Sequence, residues 1–467
     1  MRTALAYTLL YPANGAEPSV LIASPLPIVA AGGDIMNKLV SLCAALLLLS
    51  SGAALAATDF SGTWEFSVRE FGDHNFYLPM TEGRLNLEKR ATGYVAHTGP
   101  LTLTGTPAGG GLQLACEQGG KSCGSLALKM SGNQLSGNGT LSGIPVTFTG
   151  KRPAAQPAAA TVHDYNPQIF HNFYSPALAP VMHIFPGDSI KTRTLDSRGQ
   201  DFDGKPRAPR GNPLTGPFYV EGAMPGDTLV VHLDRVRTNR DSAYQTNLIA
   251  STALETGYLR ELARHDAGFH SWKIDAAAGT ATLVDPSGKM SAYTIKLSPM
   301  LGCIGVAPPR DETLASGHLG PFGGNMDSPQ VREGATLYIP VFQPGALLYF
   351  GDGHAQQGEG ELPGQGLETS LDVQVTVNLV QSKALAQPRL ENADYVMIMG
   401  NGVTVDAAMK SATTEMSRWL AEAYGLTPQD IAAFLGTAME YDIAEVVDSE
   451  YGVTAKVRKD ALAQIRK

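Results

Sequence analysis

Over most of the chain apolar and polar residues alternate with a period of two. The clearest run is Leu371-Asp372-Val373-Gln374-Val375-Thr376-Val377-Asn378-Leu379, the pattern of a strand with one face on a core and the other in water. Leu229, Val231 and Leu233, then Leu337, Ile339 and Val341, repeat the period and predict stacked or curled sheets. Shorter runs over 58–150, among them 62–68, 125–128 and 144–148, are parted by Gly, Ser and Asn. They predict a small antiparallel meander, curled or closed into a barrel. The Pro/Ala tract within 151–162 has nothing to bury and reads as an extended linker. Pro186-Gly187-Asp188 and Pro225-Gly226-Asp227 are one turn device used twice. In it Pro presets a dihedral, Gly supplies the strained one and Asp bonds back to the turn.

The period changes after Asn401. Ala408, Ala412, Met416, Trp419, Leu420 and Ala423 share a helical stripe that Gly425 ends. Thr427, Pro428 and Asp430 then suit the N-cap, first position and first turn of a second helix, with Ile431, Leu435 and Met439 facing inward. The expected fold is α+β, mainly β. A β accessory domain at 58–150 precedes a larger stacked-sheet, β-sandwich-like domain at 163–467, helical over 404–467.

Met36-Asn37-Lys38, the apolar run Leu39 to Leu49 and the small residues up to Ala57 have the parts of a secretory signal peptide over 36–57. Cleavage is expected after Ala56, with 1–35 a start region that carries no fold. The apolar run is shorter than the roughly 18 to 20 residues that cross a bilayer, so the mature chain is expected to have no stable membrane span and to be periplasmic or secreted. An oxidising compartment lets Cys116 and Cys123 close a small loop. Cys303, in an apolar segment with no charged neighbour in sequence, reads as a small buried hydrophobe.

The chain of 467 residues carries a formal net charge of −9 with no dense Lys/Arg run, which argues against nucleic acid as a partner. No GxSxG elbow, P-loop or dinucleotide-binding GxGxxG occurs. Candidate chemistry is concentrated in Gly351-Asp352-Gly353-His354-Ala355-Gln356-Gln357-Gly358-Glu359-Gly360-Glu361. Asp352 and His354, at i and i+2, can hold one divalent metal or set a carboxylate against an imidazole. In Gly320-Pro321-Phe322-Gly323-Gly324-Asn325-Met326-Asp327, glycine amides and Asn325 could support an oxyanion, and Asp327 could act as base. Asp196, at the end of a strand carrying Ile190, Thr192 and Thr194, and His171, before the first Pro-Gly-Asp turn, are further candidates.

Together these motifs resemble the acetamidase/formamidase family. The likeness is carried by Asn212 to Val220, Gly305-Val306-Ala307-Pro308, Gly323 to Asp327, Gly351 to Ala355 and Gln357 to Glu361, with Trp419-Leu420, Tyr424-Gly425-Leu426 and Val446-Val447-Asp448 behind them. It covers about two-thirds of the chain. Phe322 departs from it, standing where relatives often carry histidine.

The resemblance implies hydrolysis of short aliphatic amides, such as formamide and acetamide, to the acid and ammonia on a mainly β fold. It points to Asp196, Asp352 and His354 as ligands of a divalent metal, zinc or calcium, and to Asp327 or Glu359 as the proton carrier. His171, Asn325 and Gln357 fall to substrate binding. No nucleotide or organic cofactor is expected, and a homo-oligomer is possible. Two other readings keep the same sheets: a non-enzymatic exported metal- or ligand-binding β protein, and a hydrolase of cyclic imides or esters.

Overall fold

The computed structural model describes residues 58–70 and 82–465. The expected signal peptide and its cleavage site lie outside the described residues. Strands from Gly62–Glu70 to Ile144–Lys151 form a closed antiparallel barrel of eight, the last returning to the first through pairs such as Glu65↔Lys151 and Ser67↔Thr149. Trp64, Phe66, Leu85, Leu87, Leu112, Leu114, Leu128 and Phe148 fill its interior. An eight-stranded barrel is just wide enough for side chains to fill, so the lumen is packed core. Cys116 and Cys123 form a disulfide between neighbouring strands.

After Lys151 the chain forms no regular element until Val162–Asp164, which pairs in parallel with Ser189–Arg193. The two Pro-Gly-Asp turns behave as the pattern demands, with Gly187 at φ 99° and Gly226 at φ 90°. Asp188 accepts from Phe185 N at 3.0 Å and Asp227 from Met224 N at 2.9 Å. Both carboxylates also reach outward. Asp188 accepts from Thr161 N and lies 2.9 Å from His163 Nε2, tying down the incoming segment. Asp227 receives both terminal nitrogens of Arg84 on the barrel, at 2.6 and 2.5 Å.

The larger part is a sandwich. One sheet of nine strands has Thr228–Thr238 and Leu371–Val380 as neighbouring inner strands, and the alternation of the second buries Leu371, Val373, Val375 and Val377. The other, of six, has Leu348–His354 and Met300–Gly305 as inner strands, buried at every position. Burial without alternation means that both faces are covered. Leu229, Val231, Ile304, Leu348 and Phe350 belong to the shared core.

The helix Val405–Tyr424 buries Ala408, Ala412, Met416 and Leu420 and is capped by Thr404 and by Gly425 at φ 68°. Trp419 is half-buried and Ala423 exposed, so the expected stripe is narrower than its spacing suggested. Thr427 and Asp430 form a capping box for Pro428–Ala438, with Pro428 in the first turn, but Ile431, Leu435 and Met439 are only half-buried. The expectation of helix over 404–467 needs correction. Past Ala438 the chain returns as a hairpin, Glu440–Glu445 and Tyr451–Arg458, on the edge of the nine-stranded sheet. Val453, Ala455 and Val457 supply its buried face with period two. Among the described residues no helix is long and apolar enough to cross a membrane.

Arg84 is the ionic tie between barrel and sandwich, and Asp227 is 1 % exposed. Arg84→Ala leaves that carboxylate its two backbone donors, Met224 N and Ser382 N, so the cost should be about 2 kcal/mol, below that of a wholly stranded buried charge. A lower urea midpoint measures it.

Candidate active site

The inner strands of the six-stranded sheet deliver their ends to one hollow. Met300 pairs with His354 and Cys303 with Gly351, while Asn325 on Gly323–Asn325 pairs with Cys303. Gly302 therefore faces Asp352, and its carbonyl accepts from Met326 N and Asp327 N. A Cβ on Gly302 would lie 2.6 Å from Asp327 Oδ1 and 2.7 Å from Asp352 Oδ2, so only glycine lets both acids converge there. The segment around Glu368 folds back along the same strand: Ala355 N donates to Leu367 O and Thr369 N to Gly353 O. Gly366 lies against the imidazole, where a Cβ would come within 2.5 Å of His354 Nδ1.

Five ionisable groups meet there. Asp327, Asp352, His354, Glu361 and Glu368 are 1, 2, 0, 5 and 2 % exposed. Asp327, Asp352 and Glu361 hold left-handed backbone at φ 38°, 56° and 46°, at about 1–3 kcal/mol of strain each, the kind of strain that clusters at functional sites. His354 Nδ1 lies 2.8 Å from Gln357 Oε1. The amide oxygen can only accept, so Nδ1 bears the hydrogen and Nε2 turns its lone pair toward Glu368 Oε1 at 3.2 Å and Asp352 Oδ1 at 3.6 Å. Three lone-pair donors face one another, and Asp352 Oδ1 and His354 Nε2 have no hydrogen-bond partner. Such a knot is stable only around a positive charge, a proton or a cation. Asp352, His354 and Glu368 form one possible ligand group, and Asp327, His354 and Glu361 a second. The donor chemistry thus fits a divalent cation.

Without that cation the charges must be managed by protons. Burial, then Glu368, raises Asp352 to about 6, and burial, then Glu361, holds Asp327 well above the ordinary carboxylate range. Burial opposes charge on His354, yet Glu368 and Asp352 raise it well above an ordinary imidazole.

The residues singled out from sequence separate into two groups. Asp327, Asp352 and His354 converge. Asn325 and Gln357 join them as supports. Asn325 Nδ2 donates to Asp327 Oδ2 and, at 2.6 Å, to Asp448 Oδ2, while its Oδ1 accepts from Cys303 Sγ at 2.9 Å and Asn212 Nδ2 at 3.1 Å. Gln357 Nε2 donates to the backbone oxygens of Asp327 and Ala444. Neither amide has a hydrogen left for a substrate, so both position other groups.

The remaining three lie elsewhere. Asp196 is buried but belongs to neither ligand group. Its carboxylate pairs with Arg240 at 2.7 Å and accepts from Arg198 N and Gln200 N, so it braces the loop whose Ser197 N donates to Glu368. Glu359 is exposed, with Asp442 and Lys456 as its nearest charges. His171 is half-buried, its ring 5.9 Å from Phe173.

Sequence reasoning missed Glu368, which lies outside the motif loop, and gave Glu361 no role. It also took Cys303 to have no charged neighbour. The fold places that thiol 3.8 Å from Asp352 Oδ2, and burial, then Asp352 and Asp327, pushes its pKa up. It remains a thiol, unsuited to act as a nucleophile.

The family model for acetamidases and formamidases matches residues 159–317 and 321–457. This chain belongs to the acetamidase/formamidase family. The formamidase of Methylophilus methylotrophus is 24% identical over 353 residues, covering 60% of this chain and 85% of its own. The acetamidase structure from Yersinia enterocolitica superposes with TM-score 0.57 at 25% identity, over 67% of this chain and 96% of its own. That from Bacillus halodurans gives 0.56 at 26%, over 65% and 100%. The acid hollow falls within the matched region and the barrel outside it. The protein is an amidase, acting on carbon–nitrogen bonds.

Acids elevated in the folded amidase fix the sign of its pH response. Glu445, behind the hollow, is raised by burial from 4.5 to about 7, and Asp352 from 3.8 to about 6. Each favours folding while protonated, and the benefit is lost as pH rises through the folded value. Cation-free protein should therefore lose stability from about pH 5 to pH 8, on the order of 3 kcal/mol from Glu445 alone. Thermal melts of chelated protein across that range should show a falling Tm.

Proposed function

We propose that this amidase splits short linear aliphatic amides of the formamide and acetamide type, releasing ammonia, with a divalent cation held by Asp352, His354 and Glu368. One observation carries the reading: a fully buried cluster in which unpartnered carboxylate and imidazole lone pairs face one another. Enclosure favours a substrate of few atoms, and the imidazole among the donors favours zinc over calcium. When bound, the cation supplies Lewis-acid polarisation of the amide carbonyl.

The chain's own groups handle orientation and protons. Gln357 fixes the His354 tautomer, leaving Nε2 as the outward lone pair. Asn325 grips Asp327 Oδ2, and Gln357 grips the Asp327 backbone carbonyl, so that Oδ1, without a partner, is left for the reacting molecule. Burial and then Glu361 raise Asp327 well above the ordinary carboxylate range, which favours its protonated form and suits it to pass a proton to the departing nitrogen. Glu361 accepts from Gly366 N at 2.7 Å, which fixes its carboxyl in the cluster, where burial raises its own pKa well above the ordinary carboxylate range. Glu359, facing solvent, takes no part.

Purified protein should release ammonia from formamide and acetamide, less from longer amides, and lose this activity to a chelator. Asp352→Ala should reduce turnover by more than about 100-fold with an unchanged far-ultraviolet dichroism spectrum. Wild-type turnover in that variant would sink the assignment, and tight metal retention with no ammonia from any simple amide would favour the binding-protein reading. We also infer export, supported by the signal-like pattern over 36–57 and the Cys116–Cys123 bridge. A periplasmic or secreted product beginning at Ala57 is expected from N-terminal mass mapping, and cytoplasmic retention of the unprocessed chain contradicts it.

A further inference from the structure

Away from the acid hollow, the outer face of the barrel carries a carboxyl that ought to be wet and is not. In the strand Gly62–Glu70, Trp64, Phe66 and Val68 turn into the lumen, so Glu65 and Ser67 point outward. An outward acid on a barrel is ordinarily solvated. Glu65 is only 4 % exposed, and its Oε1 has no hydrogen-bond partner. The two cations beside it in register leave that need unmet. Arg84, opposite it on Glu82–Arg90, is drawn away to Asp227 and Gly222 O. Lys151, opposite it on Ile144–Lys151, stops 3.6 Å from the other oxygen, Oε2, short of a hydrogen bond. Burial raises the Glu65 pKa, with Lys151 and then Arg84 opposing it.

Acid and base open on a cleft of about 390 Å³ between barrel and sandwich, within the range of small-molecule sites. The Glu65 side chain, 3 % exposed, lies at its inner end, and that of Lys151, 56 % exposed, stands at its mouth. The barrel lines it with small hydroxyls, Ser67, Thr149 and Ser136, neighbours in register. The sandwich lines it with the Tyr219 ring, Met224 and Pro344. Tyr219 is pinned in place. His183 stacks on its ring with centroids 4.6 Å apart, and a Cβ on Gly345 would fall 2.2 Å from it. The cleft shares no residue with the acid hollow.

The pair sets the chemistry of what fits. A bare cation would meet Lys151 beside the acid, and a bare anion would meet Glu65 beside the base. A molecule that brings both charges side by side meets neither repulsion. Its ammonium can donate to Glu65 Oε1 and its carboxylate can accept from Lys151 Nζ, while an apolar group on the same carbon lies against Tyr219, Met224 and Pro344.

We propose that this cleft is a binding site for a free α-amino acid with an apolar side chain, held between Glu65 and Lys151. It gives the barrel a function apart from the acid hollow, and it stands or falls independently of the amide-hydrolase reading.

Titration calorimetry of the purified protein with L-leucine tests it, beside three probes that each lack one feature: glycine without the side chain, isoamylamine without the carboxylate and isocaproate without the ammonium. Leucine should bind saturably with Kd below about 1 mM, and each of the others at least about 10-fold more weakly. Glu65→Gln keeps the volume and removes the charge. It should weaken leucine at least about 10-fold, while the Tm without ligand stays equal to or above wild type, because a buried and unpartnered acid is gone. Lys151→Met, at the exposed mouth, should weaken leucine about 10-fold and leave isoamylamine bound as well or better.

No saturable heat from leucine overturns the proposal, as does leucine affinity that survives Glu65→Gln unchanged. Isoamylamine binding as tightly as leucine makes the cleft a plain cation site and also overturns it. Should Glu65→Gln fail to fold, Lys151→Met decides: leucine affinity equal to wild type overturns the pairing.

Discussion

The constraint on which the sandwich depends is electrostatic: four carboxyl groups and an imidazole are held together out of water. Each buried ion carries a desolvation penalty of several kcal/mol, far more than a single neutral hydrogen bond returns. The chain meets that penalty by over-determining each group. Asp352 stands in a strand buried on both faces, Asp327 is fixed through Gly302 O, Asn325 and Gln357, and Glu368 is held by Ser197 N on a loop braced by the Arg240–Asp196 pair. Three of the acids adopt left-handed backbone, a strain that surrounding packing must sustain. A surface loop with the same acids would solvate each of them separately, and no unpartnered lone pair would be left to do chemistry.

The same accounting separates positioning from catalysis. Asn325 is the most connected side chain of the site, holding Asp327, Asp448, Cys303 and Asn212 together. That connectivity removes it from substrate binding, because an amide with both hydrogens and its oxygen engaged has nothing further to offer. Groups with unmatched atoms are the ones left to meet a substrate. Asp448 comes from the hairpin turn beyond Glu445, whose carboxylate accepts from Val447 N and Asp448 N, so the C-terminal hairpin contributes to the hollow as well as to the sheet edge.

Legibility in sequence followed the range of the interaction. The strand Leu371–Val380, the capping box of Thr427 and Asp430 and both Pro-Gly-Asp turns depend on neighbours a few residues away, and the alternation or turn chemistry exposed them. Asp352, His354 and Asp327 were visible because glycine-rich loops after apolar runs mark buried strands that end at a site. Glu368 carries no such local mark. It joins the site only through cross-strand register, by folding back beside His354. Asp196 shows the converse failure. It has the strand-end placement of a ligand, but Arg240, 44 residues on, had already claimed it. The hairpin after Ala438 was hidden because two helices precede it and its inward residues, Val453, Ala455 and Val457, form too short a run to outweigh that context.

The barrel poses a different question, since it lies outside the family match and its lumen is packed. Its attachment reuses the sandwich's own turns. The aspartate of a Pro-Gly-Asp turn needs only one lone pair for its backbone bond, and the rest are free to recruit whatever lies outside. In the first turn Oδ1 receives Thr161 N while His163 meets Oδ2 beside the turn's own bond, and in the second Arg84 spans both oxygens. A carboxylate already desolvated and oriented by its turn offers a guanidinium a bidentate partner with little ordering left to do. An added module could therefore be joined at these turns without disturbing the hollow, because the anchoring acids are set by turn geometry and not by the strands that carry Asp352 and His354.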